Sequence, residues 1–62
     1  MSPKEIKRIR EILTLTQQKL ADLIGARQHT VARWETGLHK PTGAYLKALM
    51  GLQVKANRKR KS

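Results

Sequence analysis

The sequence predicts an all-α fold. Three observations carry that reading: apolar residues recur at three- and four-residue steps in four successive segments, no stretch alternates apolar and polar as a strand would, and glycine follows three of the four segments. At 62 residues the chain has room for one small core. It has no cysteine, so helix packing rather than disulfides or thiolate metal sites must hold it.

The first helix is expected over residues 3–13. Ser2, Pro3 and Glu5 form its start, with serine as cap, proline at the first helical position, and the S-x-x-E spacing of a capping box. Ile6, Ile9 and Leu13 then define an inward face, with Ile12 on its flank. Thr16 caps a second helix over residues 16–24, whose Leu20, Leu23 and Ile24 share a face with Ala21 beside it. Gly25 ends it, because glycine adopts the left-handed conformation of a helix stop at little cost.

The third helix, residues 27–36, stops at Gly37. After the loop LHKP, Thr42 is positioned to cap a fourth, in which Leu46, Leu49 and Met50 face inward with Tyr45 on the flank and Gly51 as terminator. Gly43 falls on that inward face, where it would either allow close helix approach or simply weaken the first turn. The segment ANRKRKS shows no apolar periodicity. The chain therefore divides into a folded unit over residues 1–54 and a basic, disordered tail over residues 55–62.

Fourteen Lys and Arg against four acids leave a formal charge of +10, which favours a polyanionic partner, nucleic acid ahead of an anionic membrane surface. Half of that excess sits on Lys55, Arg58, Lys59, Arg60 and Lys61. No apolar run approaches the length of a membrane span, and MSPKEIKRIR lacks the apolar stretch of a signal peptide. The expectation is a soluble cytoplasmic protein with no membrane partner.

On the third helix, Val31 and Trp34 lie on one side, while Gln28, His29, Ala32, Arg33 and Thr36 occupy the opposite arc. Trp34 reads as a core anchor rather than a stacking platform for bases, since stackers come in sets and the chain has no Phe. The outward face carries groups that suit base edges in a major groove: arginine pairs with guanine, glutamine with adenine, and a small apolar side chain touches the thymine methyl. A plain solvated helix surface is the competing reading. Arg27 lies nearer the Val31 and Trp34 side, yet at the first turn it could reach past the helix end.

Arg10 sits at the edge of the first helix's buried face and Glu35 at the edge of the third. Charges so placed are tolerated when paired, so the two are expected to form an ion pair tying these helices together, with Arg10 snorkelling to water as the alternative.

The run LTQQKLADLIGARQHTVARWETGLHKP resembles the helix-turn-helix domains of the phage repressor and Cro type, the Xre-like family. The matching elements are Gln17 opening the second helix, Ala21 four residues on, Gly25 in the turn, Val31 and Trp34 in the core, then Glu35, Gly37 and Pro41, with Arg10 at the family's arginine position. The resemblance covers residues 4–52. It implies a compact, lambda repressor-like bundle of four to five short helices, with the third in the major groove and the second across the backbone, a docking for which phage repressors are the standard case.

By position, the resemblance makes Arg27, Gln28, His29 and Arg33 the base-reading candidates, with Thr30 and Ala32 secondary. Gln17, Thr36, His39 and Lys40 become phosphate contacts. A homodimer on a palindromic operator is implied too, with Leu52, Val54 and Tyr45 left to form its seam.

The resulting expectation is a sequence-specific binder of double-stranded DNA, a small transcriptional repressor of bacterial or phage origin associated with the nucleoid. The alternatives are an antitoxin that represses its own operon and binds a toxin, a protein-interaction adaptor that has lost DNA binding, and nonspecific binding led by the tail. Enzymatic chemistry has no foothold, because Glu5, Glu11, Asp22 and Glu35 are dispersed and none joins a nucleophile or a phosphate-cradling loop. No cofactor is implied, and His29 and His39 lie on different elements without facing ligands for a metal.

Overall fold

The computed structural model describes residues 1–61, with side chains through Lys59. Four helices follow one another: α1 (Pro3–Ile12), α2 (Gln17–Ile24), α3 (Gln28–Thr36) and α4 (Gly43–Lys61). No strand occurs among the described residues.

Local chemistry sets the starts of α1 and α2 and the ends of α2 and α3. Ser2 caps α1 in a complete capping box: the Glu5 backbone N–H donates to the Ser2 hydroxyl at 3.2 Å, and the Ser2 N–H donates to the Glu5 carboxylate at 2.9 Å. Thr16 caps α2 by accepting from the Lys19 N–H at 3.1 Å. Gly25 and Gly37 end α2 and α3 with φ of 76° and 84°, a region that a Cβ disfavours. Between α1 and α2 the chain turns through Thr14, a β-branched residue held at φ 56°.

Ile6, Leu20, Ala21, Val31, Trp34 and Leu49 form one buried cluster drawn from all four helices, with Leu15, Ile24, Ala26 and Leu52 packed around it. Trp34 is 3% exposed and its ring meets Tyr45 at a centroid distance of 5.5 Å, joining α3 to α4. Two residues expected inside point outward instead: Leu23 and Met50 are both more than half exposed. On α2 the smaller Ala21 takes the core position, which lets α2 and α3 approach closely, and rotates Leu23 away. On α4 Leu49 occupies the centre, with Leu46 only half-buried.

α4 departs most from expectation. Gly51 does not end it and the basic segment is not a disordered tail, because the helix continues unbroken to Lys61. Burial explains the continuation. Leu49, Leu52, Gln53 and Ala56 repeat at helical spacing past the glycine, Ala56 is 1% exposed, and the Gln53 amide donates to Glu5 of α1 at 3.3 Å. These contacts outweigh the roughly 1 kcal/mol that glycine costs inside a helix. Cations in the final turns also suit the negative end of the helix dipole. Ser62, last in the expected tail, lies outside the described residues.

Gly43 likewise serves another purpose than expected. It is exposed, has φ 58°, and a Cβ there would meet nothing within 4 Å, so it redirects the chain into α4 rather than permitting close helix packing.

Candidate nucleic-acid interface

The interface is built outward from a half-buried charge pair. Arg10 of α1 donates from Nε to Glu35 Oε2 at 2.7 Å and from Nη2 to Glu35 Oε1 at 3.1 Å, a two-point contact that locks α1 to α3. Its third donor, Nη1, reaches the Leu15 carbonyl at 3.2 Å and so fixes the chain just before α2. The bonds to Glu35 hold the guanidinium pKa above its ordinary value, against the opposing effect of burial. No buried side-chain nitrogen or oxygen among the described residues lacks a partner.

From Glu35 the network continues to the surface. The Gln17 amide nitrogen donates to Glu35 Oε1 at 3.3 Å, and Gln28 Nε2 donates to Gln17 Oε1 at 2.7 Å. Arg10, Glu35, Gln17 and Gln28 thus form one chain of hydrogen bonds from the core to the first turn of α3. The sequence alone assigns Gln17 to phosphate and Gln28 to a base, with no contact between them. Their contact across eleven residues became visible once α2 and α3 were placed side by side.

Around this chain, His29 and Arg33 are exposed on the outward side of α3, and Thr30 and Ala32 are half-buried beside them. Arg27 is the N-cap of α3, exposed, and makes no side-chain capping bond. The Thr36 hydroxyl donates to the Arg33 carbonyl at 3.1 Å, so it stiffens the end of α3 while its oxygen stays available as an acceptor. His39 and Lys40 are exposed in the loop that follows. Arg27, Gln28, His29 and Arg33 are thus all exposed, and Gln17 is joined to Gln28.

Two helix starts open near these residues. α1 places Glu5 in its first turn, whereas α2 and α3 have no acid in theirs. The partly positive N–H groups at the start of α3 are left without a side-chain cap, a setting that favours an anion. Among the seam residues expected for a dimer, Tyr45 packs on Trp34 and Leu52 is half-buried against the core, which leaves Val54 exposed.

A two-helix unit with an open, polar second helix braced by a half-buried arginine–glutamate pair defines a DNA-binding domain of the helix-turn-helix class. The helix-turn-helix family profile matches residues 6–52, and the chain belongs to that family in its Xre and Cro form. It is also similar to the Type II methyltransferase M.SsoII of Shigella sonnei, at 48% identity over 48 residues. That alignment covers 73% of this chain and 13% of the methyltransferase, so the chain spans a small part of its relative's length. No solved structure matches the chain. Among the described residues, no helix is long and apolar enough to cross a membrane.

Proposed function

We propose that the protein reads specific sequences in double-stranded DNA through the outward face of α3 and acts as a small transcriptional repressor by occupying its site. The observation that carries this reading is the polarity of the hydrogen-bond chain. A guanidinium only donates, so the Glu35 carboxylate can only accept. Gln17 must then turn its amide nitrogen to Glu35 and its carbonyl to Gln28, and Gln28 must answer with its nitrogen. What remains on Gln28 is a free Oε1 and one free N–H. Adenine presents the matching pair in the major groove, an N6 donor and an N7 acceptor.

Arg33 supplies the fork that suits guanine O6 and N7, and Arg27 and His29 extend the donor set at the start of α3. Gln17 keeps one amide N–H beyond those it uses, which is available to a phosphate oxygen beside the N-terminus of α2. Thr36, His39 and Lys40 act at the opposite end of α3 as further backbone contacts. Phosphates set the register and Gln28 and Arg33 read the bases. On this reading the chain is not itself an enzyme and needs no cofactor.

Competition titrations on a preferred duplex test this. Gln28→Ala is expected to cost roughly 1–3 kcal/mol and to remove an adenine preference at one position, leaving the other positions unchanged. Gln17→Ala is expected to weaken that same preference by releasing the Gln28 amide. An adenine preference that survives both substitutions contradicts the assignment.

The likeness to a Type II methyltransferase favours a second reading, in which the same surface directs a larger DNA-modifying enzyme and the catalytic groups lie outside these 62 residues. The two separate in a reporter assay: repression by the 62-residue chain from a promoter overlapping its selected site supports the regulator, and unchanged transcription with the site occupied supports the second reading.

A further inference from the structure

The C-terminal turns of α4 lie on a defined course. Gln53 bonds to Glu5 near the start of α1, and these two line one groove with Arg8, Ile9 and Ile12 of α1 and Ala56 and Asn57 of α4. α4 therefore advances beside α1 toward the end where Arg10 grips Leu15 and where Gln17 and Gln28 emerge. On this course it carries Lys55 and Arg58, both exposed, with Arg8 of α1 exposed alongside. None of the three pairs with an acid. α4 has no Asp or Glu; Asp22 and Glu35 are engaged elsewhere, Glu5 lines the same groove as Arg8 but bonds to Ser2 and Gln53, and Glu11 on α1 is exposed with no ion pair among the described residues.

Cations suit this end of the helix dipole, but Lys55 and Arg58, three residues apart on one helix, repel each other. The burial of Ala56 and the Gln53–Glu5 bond hold those cations in place despite that opposition. A second copy docking here would set cation against cation.

From this we infer that the last turns of α4, with Arg8, form a rigid clamp for the phosphate backbone flanking the site read by α3. The clamp rests on the DNA-reading function proposed above. It differs from a flexible basic tail in one respect: the helix, and not charge alone, places the cations. Neutralising exposed helix residues leaves the fold intact, so Lys55→Gln with Arg58→Gln is the primary variant. Val54→Pro breaks α4 ahead of these residues while keeping every charge.

Affinity is measured against salt on the preferred duplex and on a scrambled one, together with hydroxyl-radical footprints. The double variant is expected to lower the slope of log K against log salt by about 1.8, at roughly 0.9 per phosphate contact, equally on both duplexes. It is expected to lose protection on one flank with the base preference unchanged. Val54→Pro is expected to do the same.

An unchanged slope in the double variant overturns the clamp. So does a wild-type slope in Val54→Pro, which would mean that loose charge suffices; if that variant fails to fold, the double variant decides alone. Loss of binding to phosphatidylserine-containing vesicles with DNA binding intact would also overturn it, in favour of an anionic surface. If the wild-type protein prefers no sequence, the reading of α3 fails and the clamp with it. If the preference persists while slope and footprint stay fixed, only the clamp falls.

Discussion

Replacing Arg10 with Met probes the half-buried ion pair on which the interface stands. The Glu35 side chain is 6% exposed and that of Arg10 is 18% exposed, so the two partners should not be equivalent. Arg10→Met strands a nearly buried carboxylate with only the 3.3 Å contact from Gln17, and it also strips the Leu15 carbonyl of its donor. A cost of about 2–4 kcal/mol follows, at or below the range for breaking a buried pair because Arg10 retains some solvent. Glu35→Leu leaves an arginine able to swing toward water, at about 1–2 kcal/mol. The double variant replaces both charges with apolar volume and should lie within about 1–2 kcal/mol of the wild type, giving a coupling of about 3 kcal/mol.

A domain of this length holds roughly 3–9 kcal/mol in total, so the Arg10 variant is expected to be partly unfolded at physiological temperature while the double variant remains folded. Urea denaturation followed by circular dichroism measures all four proteins. A coupling below about 0.5 kcal/mol, or a greater loss from Glu35→Leu than from Arg10→Met, would refute the reasoning.

Thr14 is exposed and held at φ 56°, so Thr14→Asn or Thr14→Gly should stabilise the fold by about 0.5–1 kcal/mol, read as a rise in the urea midpoint. The Glu5 carboxyl is held below its ordinary value of 4.5, first by the Ser2 backbone N–H and then by the Ser2 side chain. A lowered folded pKa contributes stability that is present above the unfolded value and lost as pH falls through the folded one. Glu5→Gln should therefore flatten the acid side of the stability profile below about pH 4.5, and a wild-type slope there would contradict the capping role.

The first three helices were legible because their signals are local. A capping box, a threonine cap and two glycines at left-handed positions act within a few residues, and the placement of His29 and Thr36 away from the Val31 and Trp34 face follows from helical period alone. α4 was not legible past Gly51, because its continuation depends on Ala56 burying against another helix, and an alanine among cations gives no visible apolar period. Leu23 and Met50 were placed inward by the same period that worked elsewhere. On both helices a neighbouring residue, Ala21 or Leu49, already filled the contact. In the interface, the residue types and their shared face were legible. The bond between Gln17 and Gln28 was not, since it is a product of how two helices pack.

Selection of bound duplexes from random DNA tests the central claim most directly, with wild-type protein and Arg33→Ala compared side by side. The account predicts a defined motif for the wild type that contains an adenine read by Gln28, with Arg33→Ala relaxing preference at one guanine position. Recovery of all sequences alike by the wild type would contradict it.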